Sequence, residues 1–152
     1  MVLLTAPSPA PAKETITGQA SVIDGDTIEI HGQRIRFFGV DAPESRQLCQ
    51  DENGSRYRCG QRAALALSDF IGRATVRCAE QNRDRWRRIV AVCRARGADL
   101  SGWMAAQGWA VAYTRYSRDY VGQEAAAKRA RKGIWRGTFE VPWEWRNGRH
   151  SG

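Results

Sequence analysis

Short β-branched runs punctuated by glycine open the patterned part of this chain. Ser21-Val22-Ile23 and Thr27-Ile28-Glu29-Ile30 form one arm, His31-Gly32-Gln33 supplies a turn, and residues 34–40 run back, which together predict a β-hairpin. Gly25 inside the first arm predicts a bulge or sharp bend, so side chains on either side of it do not follow simple alternation. Asp41-Ala42-Pro43-Glu44 ends the returning arm, because proline interrupts a ladder and restricts the residue before it.

Downstream, the apolar spacing of residues 61–71 predicts a helix with Gly72 as its terminator. Residues 75–78 and 89–93 predict a second hairpin turning at Arg85-Trp86. Asp99 or Ser101 caps a helix presenting Trp103 and Met104 and ended by Gly108. Residues 123–131 predict a third helix, with Glu124 and Lys128 spaced i,i+4 and Gly133 at its end. Strands first, helices interspersed and no βαβ repeat predict an α+β fold, a small barrel with about three attached helices. Trp103, Trp109 and Trp135 read as core, and the aromatic, basic tail around Trp143-Glu144-Trp145-Arg146 reads as packing against the barrel.

Charge changes the picture of the first hairpin. Asp24, Asp26, Arg36, Asp41 and Glu44 fall on it and on the loop that follows. Hairpin closure brings Arg36 near Thr27 and Asp26, and the bend brings Asp26 toward Asp41. Singly, Asp24, Asp26 and Asp41 read as turn formers and Arg36 as half of a strand ion pair. Together, gathered carboxylates repel unless a cation lies between them, and hard oxygen ligands suit Ca²⁺ or Mg²⁺ rather than zinc.

These motifs resemble the staphylococcal nuclease (thermonuclease) family. The resemblance is carried by Val22-Ile23-Asp24-Gly25-Asp26-Thr27, Arg36, Val40-Asp41-Ala42-Pro43-Glu44, Asp84-Arg85-Trp86-Arg87-Arg88, Gly108-Trp109-Ala110-Val111-Ala112-Tyr113 and Lys132-Gly133-Ile134-Trp135, all in the family's order. It implies an OB-fold five-stranded barrel and Ca²⁺-dependent hydrolysis of DNA and RNA with little base specificity, leaving 3′-phosphate ends, with Mg²⁺ as the second candidate ion. It further implies that Asp26, Asp41 and the Ala42 carbonyl hold the ion, with Asp24 behind them. Arg36 and Arg88 match the catalytic arginines and Glu44 the carboxylate given the general-base role. The family usually has Tyr-Gly where this chain has Trp86-Arg87, which leaves Arg87 as a rival to Arg88. Arg85, Trp86, Tyr113 and Tyr116 are candidates for nucleic-acid contact, although Arg115 stands where a second aromatic is expected.

A chain of 152 residues with 42% hydrophobic content can bury a core as one domain, and a formal net charge of +8 favours a polyanionic partner. The domain is expected over residues 16–152, as a monomer, after a flexible Pro/Ala-rich segment 1–15. Met1-Val2-Leu3-Leu4 is too short an apolar run for a signal peptide and lacks a basic start, with the trimmed remnant of one as the alternative, and no stretch is apolar enough to insert in a membrane.

Cys49, Cys59, Cys78 and Cys93 lack the close pairing of a zinc site, and His31 and His150 lie apart from them, which excludes a zinc hydrolase. Three disulfide pairings are formally open. Cys49 and Cys59 flank a polar loop, and the second hairpin sets Cys78 opposite Cys93, so these two bridges are the expectation, with four free thiols as the alternative. Disulfides imply a secreted or periplasmic protein. From another class, a non-catalytic OB-type nucleic-acid-binding module remains as the second reading; it has no use for burial-prone acids facing a polyanion.

Overall fold

The computed structural model describes residues 3–7 and 13–148. The expected Pro/Ala-rich linker therefore lies in part, at residues 8–12, outside the described residues, as do Arg149 and His150 of the basic tail.

The chain order is β1 (Thr15–Gly18), β2 (Ser21–Asp24), β3 (Thr27–Ile30), β4 (Gln33–Phe37), β5 (Val40–Asp41), β6 (Cys49–Gln50), β7 (Arg56–Tyr57) and α1 (Cys59–Ile71). It continues with β8 (Val76–Arg83), β9 (Ile89–Ala95), β10 (Ala98–Asp99), α2 (Leu100–Ala106), β11 (Val111–Ala112), α3 (Val121–Arg129), a 3₁₀ turn (Gly133–Arg136) and α4 (Pro142–Asn147). The main sheet runs β1-β8-β9-β4-β3-β2, with β10 on β9. Every pairing in it is antiparallel except β4 with β9, so the sheet is mixed. The architecture is α+β as expected. It differs in detail: no closed barrel is found among the described residues, the main sheet has seven strands rather than five, and four α-helices stand where about three were expected.

The first arm of the predicted hairpin is two strands rather than one. β2 and β3 pair with each other, with a register shift between Val22 and Asp24, so Gly25 and Asp26 form the turn. Gly25 is required there by space: a Cβ would lie 2.8 Å from the Ala42 Cβ and 2.9 Å from the Ala63 Cβ. The core lies between the sheet and helices α1 and α2, with Ile28, Ile30, Ile35, Phe37, Leu67, Ile71, Leu100 and Met104 fully enclosed. Helix boundaries follow local chemistry. Asp99 caps α2 by accepting from the Ser101 and Gly102 amides, and Gly72 ends α1 at φ 53°.

Both expected disulfides are present, Cys49–Cys59 and Cys78–Cys93, the latter pair directly opposed across β8 and β9. Two bridges fit an oxidising, extracytoplasmic environment. No helix among the described residues is long and apolar enough to cross a membrane. Trp103, Trp109 and Trp135 pack against the cores but are only partly buried.

Candidate active site

Two short pairings place the acidic residues. Thr27 faces Arg36 across β3 and β4, and β5 pairs with β11 so that Asp41 faces Val111. The turn at Gly25 and Asp26 then folds back onto the start of the loop after β5, where the Ala42 amide donates to Asp26 Oδ2 at 2.8 Å. The Thr27 hydroxyl donates to Asp26 Oδ1 at 2.9 Å. Asp26 is 3% exposed and Asp41 0%. Arg36 bridges them, its Nη2 lying 3.0 Å from Asp41 Oδ1 and 3.7 Å from Asp26 Oδ2. The expected convergence of Asp26, Arg36 and Asp41 is therefore present.

Titration follows from that crowding. Burial opposes ionisation of Asp26, but the Arg36 charge and the bonds from Ala42 and Thr27 prevail and hold its carboxyl below the usual range. Asp24 accepts from the Asp26 amide at 3.1 Å, but burial first, and the Asp26 charge second, push its carboxyl up to about 8. Burial also pushes the Asp41 carboxyl up, against the opposing pull of Arg146 and Arg36.

Glu44 sits in the loop between β5 and β6, and that loop is tied down. The Gln47 amide donates to the Glu44 carbonyl at 2.8 Å, the Glu44 amide donates to Gln47 Oε1 at 3.2 Å, and Gln47 Nε2 reaches the Glu140 carbonyl at 2.7 Å. The start of α1 presses on the same loop: a Cβ on Gly60 would lie 1.7 Å from the Glu44 carbonyl oxygen. The Cys49–Cys59 bridge fastens this junction.

Beside β4, where β9 pairs with it, stands the turn between β8 and β9. Asp84 organises it, its Oδ1 accepting from the Trp86 and Arg88 amides at 2.9 Å each and its Oδ2 from Arg88 Nε at 2.7 Å. Arg87 adopts φ 66°, a left-handed conformation that normally calls for glycine. The two walls line one cleft of about 940 Å³. Asp24, Arg36 and Glu44 line it from the acidic wall and Arg85, Trp86 and Arg88 from the arginine turn, and Arg87 is not part of the lining. Tyr113 and Tyr116 also line it, in edge contact at 4.8 Å. Trp86 is 63% exposed, with the Arg85 guanidinium 4.1 Å and that of Arg88 5.2 Å from its ring centroid.

The aromatic tail does more than pack against the sheet. As α4 it stacks Trp143 on Tyr113 at 4.9 Å and sends Arg146 into the acidic wall, where it bonds both oxygens of Asp41 and Oε1 of Glu44. Burial works against the Arg146 charge, but its bonds to Asp41 and Glu44 hold the guanidinium protonated. Sequence reading missed Arg146 and Gln47; a basic residue beside two tail tryptophans was the one available signal.

The donor chemistry fits a hard cation. Asp26 and Asp41 are desolvated carboxylates one guanidinium apart, and the Ala42 carbonyl belongs to the segment that bonds Asp26. Among the described residues no group of three or more His, Cys, Asp or Glu side chains is placed to share an ion, so the fit rests on two carboxylates and a carbonyl.

Residues 34–137 match the family model of staphylococcal nuclease homologues. The chain is 46% identical over 130 residues to the succinoglycan biosynthesis protein ExoI of Rhizobium meliloti, covering 84% of this chain and 68% of that protein. It is 30% identical over 143 residues to the micrococcal nuclease of Shigella flexneri, covering 82% of this chain and 76% of that protein. An uncharacterized endonuclease of Haemophilus influenzae is 27% identical over 154 residues, with 96% and 81% covered. By the length of the matched segment and by these identities, the chain belongs to the staphylococcal nuclease homologues, a family of nucleases.

Proposed function

We propose that the protein is a Ca²⁺-dependent nuclease that hydrolyses the phosphodiester bonds of DNA and RNA with little sequence preference and leaves 3′-phosphate ends. The observation that carries this reading is the cleft itself, which gathers Arg36, Glu44 and Arg88 in one lining, with Arg36 paired to the buried Asp26 and Asp41. Attack of water on a phosphodiester builds charge on the phosphoryl oxygens. Arg36 and Arg88 offer planar forks to those oxygens, one from β4 and one from the turn that leads into its neighbour β9, each oriented by a carboxylate, Asp41 or Asp84. Glu44 orients the attacking water or accepts its proton. Asp26, Asp41 and the Ala42 carbonyl would hold the cation, with Asp24 behind them. When bound, that ion adds positive charge beside the phosphate. Arg85, Trp86, Tyr113 and Tyr116 extend the cleft for flanking nucleotides, with bases stacking on the rings.

The net charge of +8 suits this polyanionic substrate, and the two disulfides suit a secreted or periplasmic enzyme. Arg88 is preferred to Arg87 because the cleft lining includes the former and not the latter.

Purified protein is incubated with plasmid, single-stranded DNA and RNA in Ca²⁺, Mg²⁺ or chelator, and the product ends are analysed. Cleavage in Ca²⁺, loss of cleavage in chelator and 3′-phosphate ends are expected. Cleavage indifferent to chelator removes the ion from the mechanism. No cleavage under any ion leaves the nucleic-acid-binding module. Glu44→Gln is expected to lower turnover more than it weakens substrate binding; the reverse would make Glu44 a binding residue.

A further inference from the structure

Arg146 lies beyond residues 34–137, the segment that matches the family model, yet it engages the carboxylates assigned above to ion binding and water activation. Its fork spans Asp41, with Nη1 donating to Oδ1 and Nη2 to Oδ2, each at 2.8 Å. Nη1 also donates to Glu44 Oε1 at 2.7 Å. With Arg36 Nη2 donating to Oδ1 at 3.0 Å, neither oxygen of Asp41 is without an N–H donor. A fully buried carboxylate needs a cation beside it, because an uncompensated charge there is costly. Arg36 cannot readily leave: it sits within β4, 17% exposed, and also faces Asp26. Arg146 projects from the six-residue helix α4 and is 31% exposed, so its side chain can withdraw to water without breaking a strand.

We propose that Arg146 is a resident cation of this site, which holds Asp41 and Glu44 in the metal-free protein and gives way when a divalent ion binds at Asp41, releasing Glu44. The proposal rests on the assignment of Asp26, Asp41 and Ala42 as the ion's ligands. Arginine and ion seek the same lone pairs, so the coupling between them is unfavourable and reciprocal. Arg146 thereby sets the ion affinity of the site and ties the freedom of Glu44 to ion occupancy. Helix α4 stays anchored meanwhile, through Trp143 stacked on Tyr113 and through the Gln47 bond to the Glu140 carbonyl.

The test is calorimetric titration of the full chain with Ca²⁺ and no nucleic acid. Arg146→Ala is expected to bind Ca²⁺ at least about tenfold more tightly than the wild type, within the usual range of coupling between two ligands. Arg146→Lys falls between them, because it keeps the charge but cannot span both oxygens. Thermal melting establishes that each variant folds, and Arg146→Gln carries the same test should the alanine variant fail. Equal or weaker Ca²⁺ binding without the guanidinium overturns the proposal, as does absence of binding heat in every variant. The nuclease reading is judged separately by cleavage. Cleavage by the wild type with unchanged Ca²⁺ affinity in Arg146→Ala sinks this inference alone, whereas tighter binding without any cleavage sinks only the nuclease reading.

Discussion

The two walls of the cleft carry similar chemistry in opposite states of burial. On one side Arg36 and Asp41 are enclosed, with Asp41 at 0% exposure, and each charge is held by at least one ionic partner from another strand or helix. On the other, Arg88 is 40% exposed and is paired within its own turn, to Asp84 four residues back. A buried charge cluster cannot relax when one member is removed, because water cannot replace the lost partner. An exposed turn can. The acidic wall is therefore both scaffold and site, while the arginine turn is a site mounted on a hairpin that stands without it.

Arg36→Ala should break that comparison most severely. It strips Asp26 and Asp41 of a shared partner, and a loss of about 3–5 kcal/mol is expected, as for other broken buried pairs. Turnover should fall at least about a hundredfold as well. Chemical denaturation and single-substrate kinetics read the two effects. A variant with unchanged stability would mean that Arg36 is not holding the acidic wall together. Arg36→Lys retains the charge and separates loss of the fork from loss of the ion pair.

Arg88→Ala should leave the fold nearly intact. Its exposed pair with Asp84 is worth no more than about 1 kcal/mol, yet turnover should again fall at least about a hundredfold. A small change in stability with a large change in rate is the contrast that the two walls predict. If Arg88→Ala retains near-normal turnover, the second guanidinium of the mechanism is wrong.

The same contrast explains what could be read from the chain. Asp26, Arg36 and Asp41 were legible because a short hairpin and one bend bring them together within one stretch of sequence, 26–41. Cys78 and Cys93 were legible for the same reason, facing each other across one predicted hairpin. Arg146 was not. It reaches Asp41 across 105 residues and Glu44 across 102, and no local periodicity encodes such a contact. Nor could residue pattern show that β2 and β3 pair with each other, since Gly25 is consistent with a bulge and with a turn alike. Barrel closure depends on pairing between sheet edges far apart in the chain, and the family likeness implied more closure than the strand pairing contains.

Trp86→Ala sharpens the view of the exposed wall. A ring 63% exposed and flanked by two guanidinium groups contributes little to the core. Its removal should raise KM for single-stranded DNA by roughly tenfold, within the about 1–3 kcal/mol that stacking gives per base. Stability and turnover at saturation should move little. Loss of stability with an unchanged KM would instead make Trp86 a packing residue of the turn.

The smallest expected effect comes from the backbone of that turn. Arg87 holds φ 66°, a region that costs an ordinary residue about 1–2 kcal/mol. Glycine removes that strain but adds about 0.5–1 kcal/mol of chain entropy to the unfolded state. Arg87→Gly should therefore stabilise the protein by about 0.5–1 kcal/mol. Denaturation midpoints at constant slope read it. Turnover should stay within about twofold, since the Asp84 bonds that orient Arg88 do not involve the Arg87 side chain. A large loss of turnover with the turn otherwise intact would transfer the catalytic assignment from Arg88 to Arg87. A loss of stability would mean that the Arg87 side chain, and not only its backbone, holds the exposed wall in shape.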